Sequence, residues 1–394
     1  SNLVFRMKKN AVGLATIAIL SSMVLVTLVG AASIYAGKKD YLASAAPHDY
    51  SVTGTNVDLT NTQKVMSDFL AQSGNQVNEK TEVTYLYFGI KEQEKNKLTI
   101  FSENERKVLP KSIFLVFSQA TYKQLTGKNL NLASNQVGLF TKNKTLKSQK
   151  SLSVNGQTYQ IQDALNDFIK GKVPNIFTII VSDYNYLVVP DMDNFKESIK
   201  GTATTQATYI GINVKDPSHD AKKNSDLLDE LTDKETQQLA GQTTGVPESY
   251  LTANSRYDTE GMLNGFVGGT FFIGIFLSII FMLGTVLVIY YKQISEGYED
   301  RERFVILQKI GLDDQQVKKT IRKQVLTVFF LPLIFAITHL AFAYHMISLI
   351  VRVIGVLNPD LMLMVTIIVC GVFFLAYVLV FTLTSRSYRR IVSM

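Results

Sequence analysis

The chain has 394 residues, of which 46% are hydrophobic, and it carries a formal net charge of +7 and a single cysteine, Cys370. It contains no G-x-x-x-x-G-K-[S/T] phosphate-binding loop, no H-E-x-x-H zinc motif and no G-x-S-x-G nucleophile elbow. The sequence therefore predicts neither an enzyme nor a cofactor or metal site built on these motifs. One cysteine cannot form an intrachain disulfide, so each domain must rely on its own core.

Hydrophobic residues are concentrated in four uncharged segments, Ala11–Ala36, Met262–Tyr291, Val325–Val351 and Leu361–Ser385. Each exceeds the ~20 helical residues that cross a hydrocarbon core of about 30 Å. We therefore predict a membrane α-helical protein with four transmembrane helices and a large α+β extracytoplasmic domain inserted between the first and second. The predicted organisation is a cytoplasmic N-terminus with transmembrane helix 1 (1–37), the extracytoplasmic domain (38–261), transmembrane helix 2 (262–291), a charged cytoplasmic loop (292–324), transmembrane helix 3 (325–351), transmembrane helix 4 (361–385) and a cytoplasmic tail (386–394).

A signal peptide is the alternative for the first apolar segment, because the run from Met7 ends in an A-x-A-like sequence. The apolar region Ala11–Ala36 is longer than the ~7–15 residues of a usual signal core, which favours an uncleaved span. Ser1 is not an initiator methionine, so we expect the chain to be part of a longer protein.

Basic residues flank the four spans unevenly. Fourteen Lys and Arg residues fall in 1–10, 292–324 and 386–394, whereas the short segment 352–360 has only Arg352. The positive-inside rule therefore predicts that both termini and the charged loop are cytoplasmic in a multi-pass cell-membrane protein. The inserted segment 38–261 has 25 basic and 26 acidic residues, so the positive net charge does not indicate a nucleic-acid-binding surface.

The inserted segment alternates strand-like and helix-like patterns. Residues 59–74 and 224–241 have helical periodicity, the first with Val65, Phe69 and Leu70 on one face and Gly74 as its stop, the second capped by Asn224 or Ser225 and ended by Gly241. Asn155-Gly156 predicts a two-residue hairpin turn within 151–161. Strands are predicted at 49–59, 82–91, 112–122 and 177–189, and the polar residues 241–261 are expected to return the chain to the membrane.

The charged loop predicts two helices separated by Gly311. The first, Ser295–Ile310, has acidic residues in its first turns and an apolar stripe that includes Phe304, Leu307 and Ile310. Asp313 with Gln316 forms a capping box for the second, which continues into the third span. The first helix is then either a plain amphipathic helix at the membrane surface or an element that a cytoplasmic partner contacts, and periodicity alone leaves both open.

Single residues within the spans allow only modest predictions. Glycines 265, 268, 269, 274 and 284 indicate close helix approach, and Pro332 predicts a kink. His339 and His345 fall on opposed helix faces, which argues against a shared metal. Arg352 ends the third span, where its side chain can snorkel or contact a lipid phosphate.

The loop and the span after it resemble a known family. "EDRERFVILQKIGLDDQQVKKTIRKQ" (299–324) with "VFFLPLIFAITHLAFAYHMI" (328–347) is similar to FtsX-like permeases of ABC transporters, and most similar to the bacitracin-resistance (Bce) type. The family pattern falls on Glu299–Arg303, Ile306, Leu307, Ile310, Gly311 and Val317. Bce-type permeases have this arrangement in their C-terminal halves, so the resemblance implies that this chain is such a half.

The resemblance implies a permease subunit for resistance to, and sensing of, cell-wall-active antimicrobial peptides. It further implies a separate ATPase subunit, a sensor histidine kinase, and a peptide antibiotic or its undecaprenyl-pyrophosphate lipid complex as partners. ATPase contact is expected at Glu299, Asp300, Glu302, Phe304, Leu307, Ile310 and Gly311.

Three alternatives remain open at this point. One is an FtsX-type division regulator that controls a cell-wall hydrolase, although such regulators carry smaller inserted domains. Another is a complete four-span permease of the macrolide-exporter or lipoprotein-release type, which has the same order of elements. A receptor without transport is the third, but it would not need a loop of this pattern.

Overall fold

The computed structural model describes residues 11–106, 108–174, 181, 183–240, 249–309, 314–353 and 358–392. The chain divides into two compact units. We call Lys39–Leu263 the inserted unit, and Ser1–Lys38 with Asn264–Met394 the helical unit.

Helices and strands are mixed along the inserted unit, and the described elements outside it are helices. The helices are α1 (Ala11–Ala45), α2 (Leu59–Ser73), α3 (Gln119–Thr126), α4 (Lys144–Lys147), α5 (Met192–Ser198), α6 (Ala221–Ala240), α7 (Arg256–Lys309), α8 (Asp314–Val353) and α9 (Pro359–Val392). The strands are β1 (Tyr50–Thr55), β2 (Val77–Glu94), β3 (Lys97–Ile100), β4 (Ser112–Ser118), β5 (Gln136–Thr141), β6 (Ser151–Val154), β7 (Gln157–Ala164), β8 (Asp183–Val189), β9 (Thr204–Val214) and β10 (Tyr250–Ser255).

The strands of the inserted unit form one sheet in the order β10-β1-β9-β2-β3-β6-β7-β5-β8-β4. Strand β4 also pairs with β2, so the seven strands from β2 to β4 in this order form a closed ring of pairings. The longest ladder joins β2 and β9 antiparallel, from Val77↔Val214 to Phe88↔Thr204. Strands β4 and β8 pair in parallel and are buried over almost their whole length. The predicted α+β domain is confirmed.

Helix α2 follows the pattern predicted for it. It ends at Ser73, and Gly74 follows in the left-handed conformation with φ 68°, which a residue with a Cβ adopts at a cost. Val65 and Phe69 are buried against β1 and β9, and Leu70 packs at the margin of the same core. The hairpin prediction is also confirmed, because Asn155 (φ 47°) and Gly156 (φ 89°) join the antiparallel strands β6 and β7.

Four predictions for the inserted unit are wrong in part. The strand predicted over 49–59 ends at Thr55, and α2 begins at Leu59. The strand predicted over 112–122 ends at Ser118, because its hydroxyl accepts a hydrogen bond from the Thr121 backbone N–H and caps α3. Asn224 and Ser225 are buried inside α6 and are not caps, because the helix begins earlier, at Ala221. Residues 250–255 are strand β10, paired with β1, and do not form a polar connection.

Two further predictions for the inserted unit fall partly outside the described residues. Strand β8 occupies the second half of the predicted strand 177–189, and 175–180 and 182 lie outside the described residues. Gly241, the predicted stop of α6, also lies outside them.

The described helices include four segments long and apolar enough to cross a membrane. They are Ala11–Ala45, Arg256–Ser295, Phe329–Arg352 and Pro359–Thr384. These match the four predicted spans, because length and uniform apolarity are enough to specify a helix that satisfies its own backbone in lipid.

Candidate functional site

Helix α7 is 54 residues long. It includes the second span and continues into the charged loop as far as Lys309. At 1.5 Å per residue it extends about 80 Å. The prediction of a separate helix starting at Ser295 is wrong, because α7 continues through that position. The residues around that position contain no proline and one glycine, Gly297, so nothing in the backbone ends the helix there.

The predicted ATPase-contact residues lie on the last turns of α7. Glu299, Asp300, Glu302, Phe304 and Leu307 are all within its helical backbone. At 3.6 residues per turn, positions 300, 304 and 307 fall within about 60° of one another around the helix axis. Positions 299 and 302 lie about 100° and 160° away from position 300, so only three of the five positions share one side of the helix.

The other end of the loop is helical as well. Ile310 and Gly311 lie outside the described residues, as does Asp313, the predicted cap. From Asp314 the helix α8 continues to Val353 through the third span. The prediction that the second loop helix runs directly into that span is confirmed.

Helices α1 and α7 approach closely at one glycine. A Cβ on Gly274 would lie 2.4 Å from the Cβ of Ala31, so only glycine fits there without a shift. A Cβ on Gly284 would make an ordinary contact with Leu20. Among the described atoms, a Cβ on any of glycines 265, 268 and 269 would meet nothing within 4 Å. Of the five glycines predicted to allow close approach, Gly274 is thus the one that does so.

Helices α8 and α9 pack through aromatic rings near Pro332. The Tyr377 hydroxyl of α9 donates a hydrogen bond of 2.8 Å to the Phe329 carbonyl oxygen of α8, and both residues are buried. The rings of Phe329 and Phe381 have centroids 5.0 Å apart. Sequence reasoning missed Tyr377, because nothing local marks a tyrosine in an apolar span as bonded to a neighbouring helix.

An apolar groove of about 940 Å³ is formed by α1, α7 and α8 within the helical unit. Its polar lining residues are Ser22, Thr27 and His339. No group of three or more His, Cys, Asp or Glu residues that could hold a metal ion occurs in the described part of the chain. Arg352 is exposed in the last turn of α8, as predicted from its position, and its contact with a lipid phosphate stays a prediction.

Hydrogen bonds join residues 45–47 to residues 254 and 256, near the two ends of the inserted unit. The side chain of Asn254 donates to the Ala45 carbonyl at 2.9 Å, and Arg256 donates to the Ala46 and Pro47 carbonyls at 3.1 and 2.9 Å. Ala45 is the last residue of α1, and its carbonyl is one of those that a helix end leaves without an intrahelical donor, whereas Ala46 and Pro47 follow the helix directly. Arg256 also starts α7, so one residue both begins that helix and binds the end of the other. Sequence reasoning missed this contact, because it joins residues about 210 positions apart.

His48 lies beside this junction, enclosed by the sheet. Its ring nitrogens are 2.7 Å from the Tyr209 hydroxyl and 3.0 Å from the Thr81 hydroxyl. A Cβ on Gly211 would lie 2.4 Å from the imidazole, so glycine makes room for the ring. Burial lowers the pKa of His48 below its ordinary 6.5, because it disfavours the charged imidazolium. Glu79 and Asp49 oppose this shift, and Arg256 reinforces it.

Comparison with known proteins identifies the C-terminal region. Residues 275–392 match the family described as FtsX-like permease C-terminal. This region is an FtsX-like permease domain. It contains most of the second span, the whole charged loop and both later spans, so the resemblance predicted from the loop is confirmed.

Three relatives of Bacillus subtilis (strain 168) share sequence with this chain. The ABC transporter permease protein YxdM is 32% identical over 77 residues, which are 20% of this chain and 12% of that protein. The Bacitracin export permease protein BceB is 28% identical over 138 residues, 35% of this chain and 19% of that protein. The Uncharacterized ABC transporter permease YvcS is 29% identical over 121 residues, 31% of this chain and 18% of that protein.

The matched segments span less than a fifth of each relative's own length. They support an ABC transporter permease of the FtsX-like type, which is a membrane protein family and not an enzyme class.

Proposed function

We propose that this chain acts as the permease subunit, or the C-terminal half of it, in an ABC transporter that senses and gives resistance to cell-wall-active antimicrobial peptides. The observation that carries the proposal is the FtsX-like permease domain at 275–392, which includes the charged loop. The relative named as a bacitracin export permease aligns over 35% of this chain and supports a peptide antibiotic as the ligand.

The proposed orientation follows from the basic residues. With the loop and both termini in the cytoplasm, the basic flanks of the spans obey the positive-inside rule. The inserted unit is then extracytoplasmic. Its lack of cysteine suits a domain that folds on export without disulfide formation.

The proposed energy source is a separate ATPase subunit that binds the end of α7. Glu299, Asp300 and Glu302 would meet basic residues of that subunit, while Phe304 and Leu307 would supply apolar contact. Ile310 and Gly311 belong to the same proposed surface. Because α7 and α8 each continue from the loop into a span, displacement of the loop by the ATPase would move both spanning helices.

The proposed ligands lie on the other side of the membrane. A peptide antibiotic, or its complex with undecaprenyl-pyrophosphate, is the expected substrate class, and Arg352 is a candidate contact for a lipid phosphate. A sensor histidine kinase is the proposed signalling partner. Family resemblance supports both proposals, and the name of the bacitracin export permease supports the peptide ligand.

Gene deletion and complementation test the proposed function. Deletion should lower the bacitracin concentration that stops growth, and the intact gene should restore it. A defect in cell division with unchanged peptide tolerance would instead favour a division regulator. Sensitivity to macrolides alone, or failure of lipoprotein release, would favour a four-span exporter.

Variants of α7 test the ATPase contact. Phe304→Ala and Leu307→Ala should each weaken co-purification of the ATPase subunit, by on the order of 2 kcal/mol if either is an interface anchor. Reversing single acidic charges should cost only ~0–1 kcal/mol. Tyr291→Ala, at an exposed position of the same helix about two turns before Glu299, is the matched control. Normal co-purification of both apolar variants would reject this surface.

A further inference from the structure

Helix α8 contains one proline, Pro332. Pro332 has no backbone N–H, so the carbonyl of Val328, four residues earlier, loses its helical donor, and the ring crowds the preceding turn. Water is not available in the hydrocarbon region to satisfy such a turn. A proline-disturbed turn in a spanning helix therefore needs a polar group from a neighbouring element.

Tyr377 supplies a polar group at this turn. Its hydroxyl donates to the Phe329 carbonyl, the acceptor adjacent to that of Val328, at 2.8 Å. Tyr377 is 1% exposed and Phe329 is 2% exposed, so the bond is shielded from lipid. The bond thus joins a side chain of α9 to the backbone of α8 three residues before Pro332.

Aromatic packing fixes the direction of the Tyr377 ring. Its centroid lies 6.1 Å from that of Phe373 on its own helix and 6.4 Å from that of Phe330 on α8. Phe330 also lies near Phe374 and Phe381 of α9. With the ring held on several sides, the hydroxyl is kept in place for one acceptor.

We propose that the Tyr377 hydroxyl holds the turn of α8 before Pro332 in place and so acts as a positioning residue for the part of α8 that leads from the charged loop. The segment Asp314–Leu331 enters the span without a break, and Pro332 is the one proline inside this helix. While the bond is made, that segment is tied to α9. When it is broken, the segment can change its angle about Pro332. The link to ATPase-driven motion rests on the proposed function, but the bond beside Pro332 does not.

Hydrogen–deuterium exchange of the full chain in lipid nanodiscs tests whether the Tyr377 hydroxyl stabilises this turn of α8, without any partner protein. Tyr377→Phe removes the hydroxyl and keeps the ring, so backbone amides in 329–337 should exchange roughly three- to tenfold faster, as expected for one lost buried hydrogen bond. Tyr291→Phe, at an exposed position on α7, is the matched control and should leave these amides unchanged. Unchanged exchange in Tyr377→Phe would overturn the proposal.

A double substitution separates a role at the proline from simple packing. Pro332→Ala restores the missing N–H, so Tyr377→Phe in that background should change exchange less than twofold. An equal effect with and without Pro332 would show that the bond only packs two helices and would reject the proposed role. If Pro332→Ala does not yield folded protein, Pro332→Gly makes the same comparison.

ATP hydrolysis then tests whether the Tyr377 bond affects coupling between the ATPase subunit and the permease. With the ATPase subunit present, Tyr377→Phe should change bacitracin-dependent ATP hydrolysis at least threefold while the amount of co-purified ATPase stays normal. Unchanged hydrolysis would reject a role in coupling. If the wild-type chain itself retains no ATPase, the proposed function fails, and the exchange result still decides the role of Tyr377.

Discussion

The two units of this chain bury their apolar residues in opposite ways. In the inserted unit the large apolar side chains, such as Phe69, Phe114 and Tyr209, are fully enclosed between the sheet and its helices. In the helical unit only 22–33% of the most apolar stretch of each spanning segment is buried by the rest of the protein. The first unit gains its stability by removing apolar surface from water. The second leaves most of that surface for lipid, and its helices are held by close packing and by hydrogen bonds such as that of Tyr377.

The largest expected difference between the units is in autonomous folding. We expect residues 39–263, expressed alone without an oxidant, to form a soluble domain that unfolds in one cooperative thermal transition. The reason is that its core is complete within the unit and contains no cysteine. Circular dichroism during heating is the measurement. A random-coil spectrum, or a melt without a transition, would contradict the prediction.

A second prediction compares two large-to-small substitutions. Phe69→Ala should lower the free energy of unfolding of the inserted unit by about 3–5 kcal/mol, because it leaves a cavity beside Tyr50, whose ring centroid is 5.0 Å away. Leu375→Ala, at a 68% exposed position in α9, should change the stability of the full chain in detergent by only about 0.5 kcal/mol. Urea unfolding of the first and thermal unfolding of the second provide the values. Similar losses at both positions would mean that the two units do not differ in this way.

The smallest expected effect concerns pH and only the inserted unit. Burial lowers the pKa of His48 in the folded state, so the unfolded chain binds the proton more tightly. The contribution of His48 to the free energy of unfolding should be fully present above the unfolded pKa of 6.5. It should be lost as the pH falls from there through the folded pKa. Unfolding of residues 39–263 between pH 7.5 and 5, compared with His48→Asn, isolates this contribution from the carboxylates. A pH dependence that is the same in both would assign it to other groups.

Much of the helical unit was predictable, because lipid imposes a simple requirement. A segment that crosses the membrane must be long, apolar and helical, and these properties are visible in any window of the sequence. The hairpin at Asn155-Gly156 and the end of α2 at Gly74 were predictable for a similar reason. Both depend on a backbone conformation that a few neighbouring residues decide.

Contacts between distant residues could not be predicted in the same way. Strand β10 has a short polar sequence and exists because β1 offers it a partner, from Tyr50↔Ser255 to Thr55↔Tyr250. The early start of α6 depends on the surrounding core, in which Asn224 and Ser225 are buried. At the candidate site, the sequence placed six of the seven loop residues on a helix, and five of them lie in the described part of α7. It did not show that this helix continues from the span, nor that Tyr377 bonds to α8.

The pairing of Tyr50 with Ser255 has a consequence for how such proteins change over evolutionary time. The chain enters and leaves the inserted unit on neighbouring strands, and domains whose two ends lie together tolerate insertion and exchange. A different domain with the same spacing between its ends could replace β1 through β10 without requiring any change in the two helices that carry it. The inserted unit could thus be exchanged for another domain while the FtsX-like permease domain is inherited unchanged.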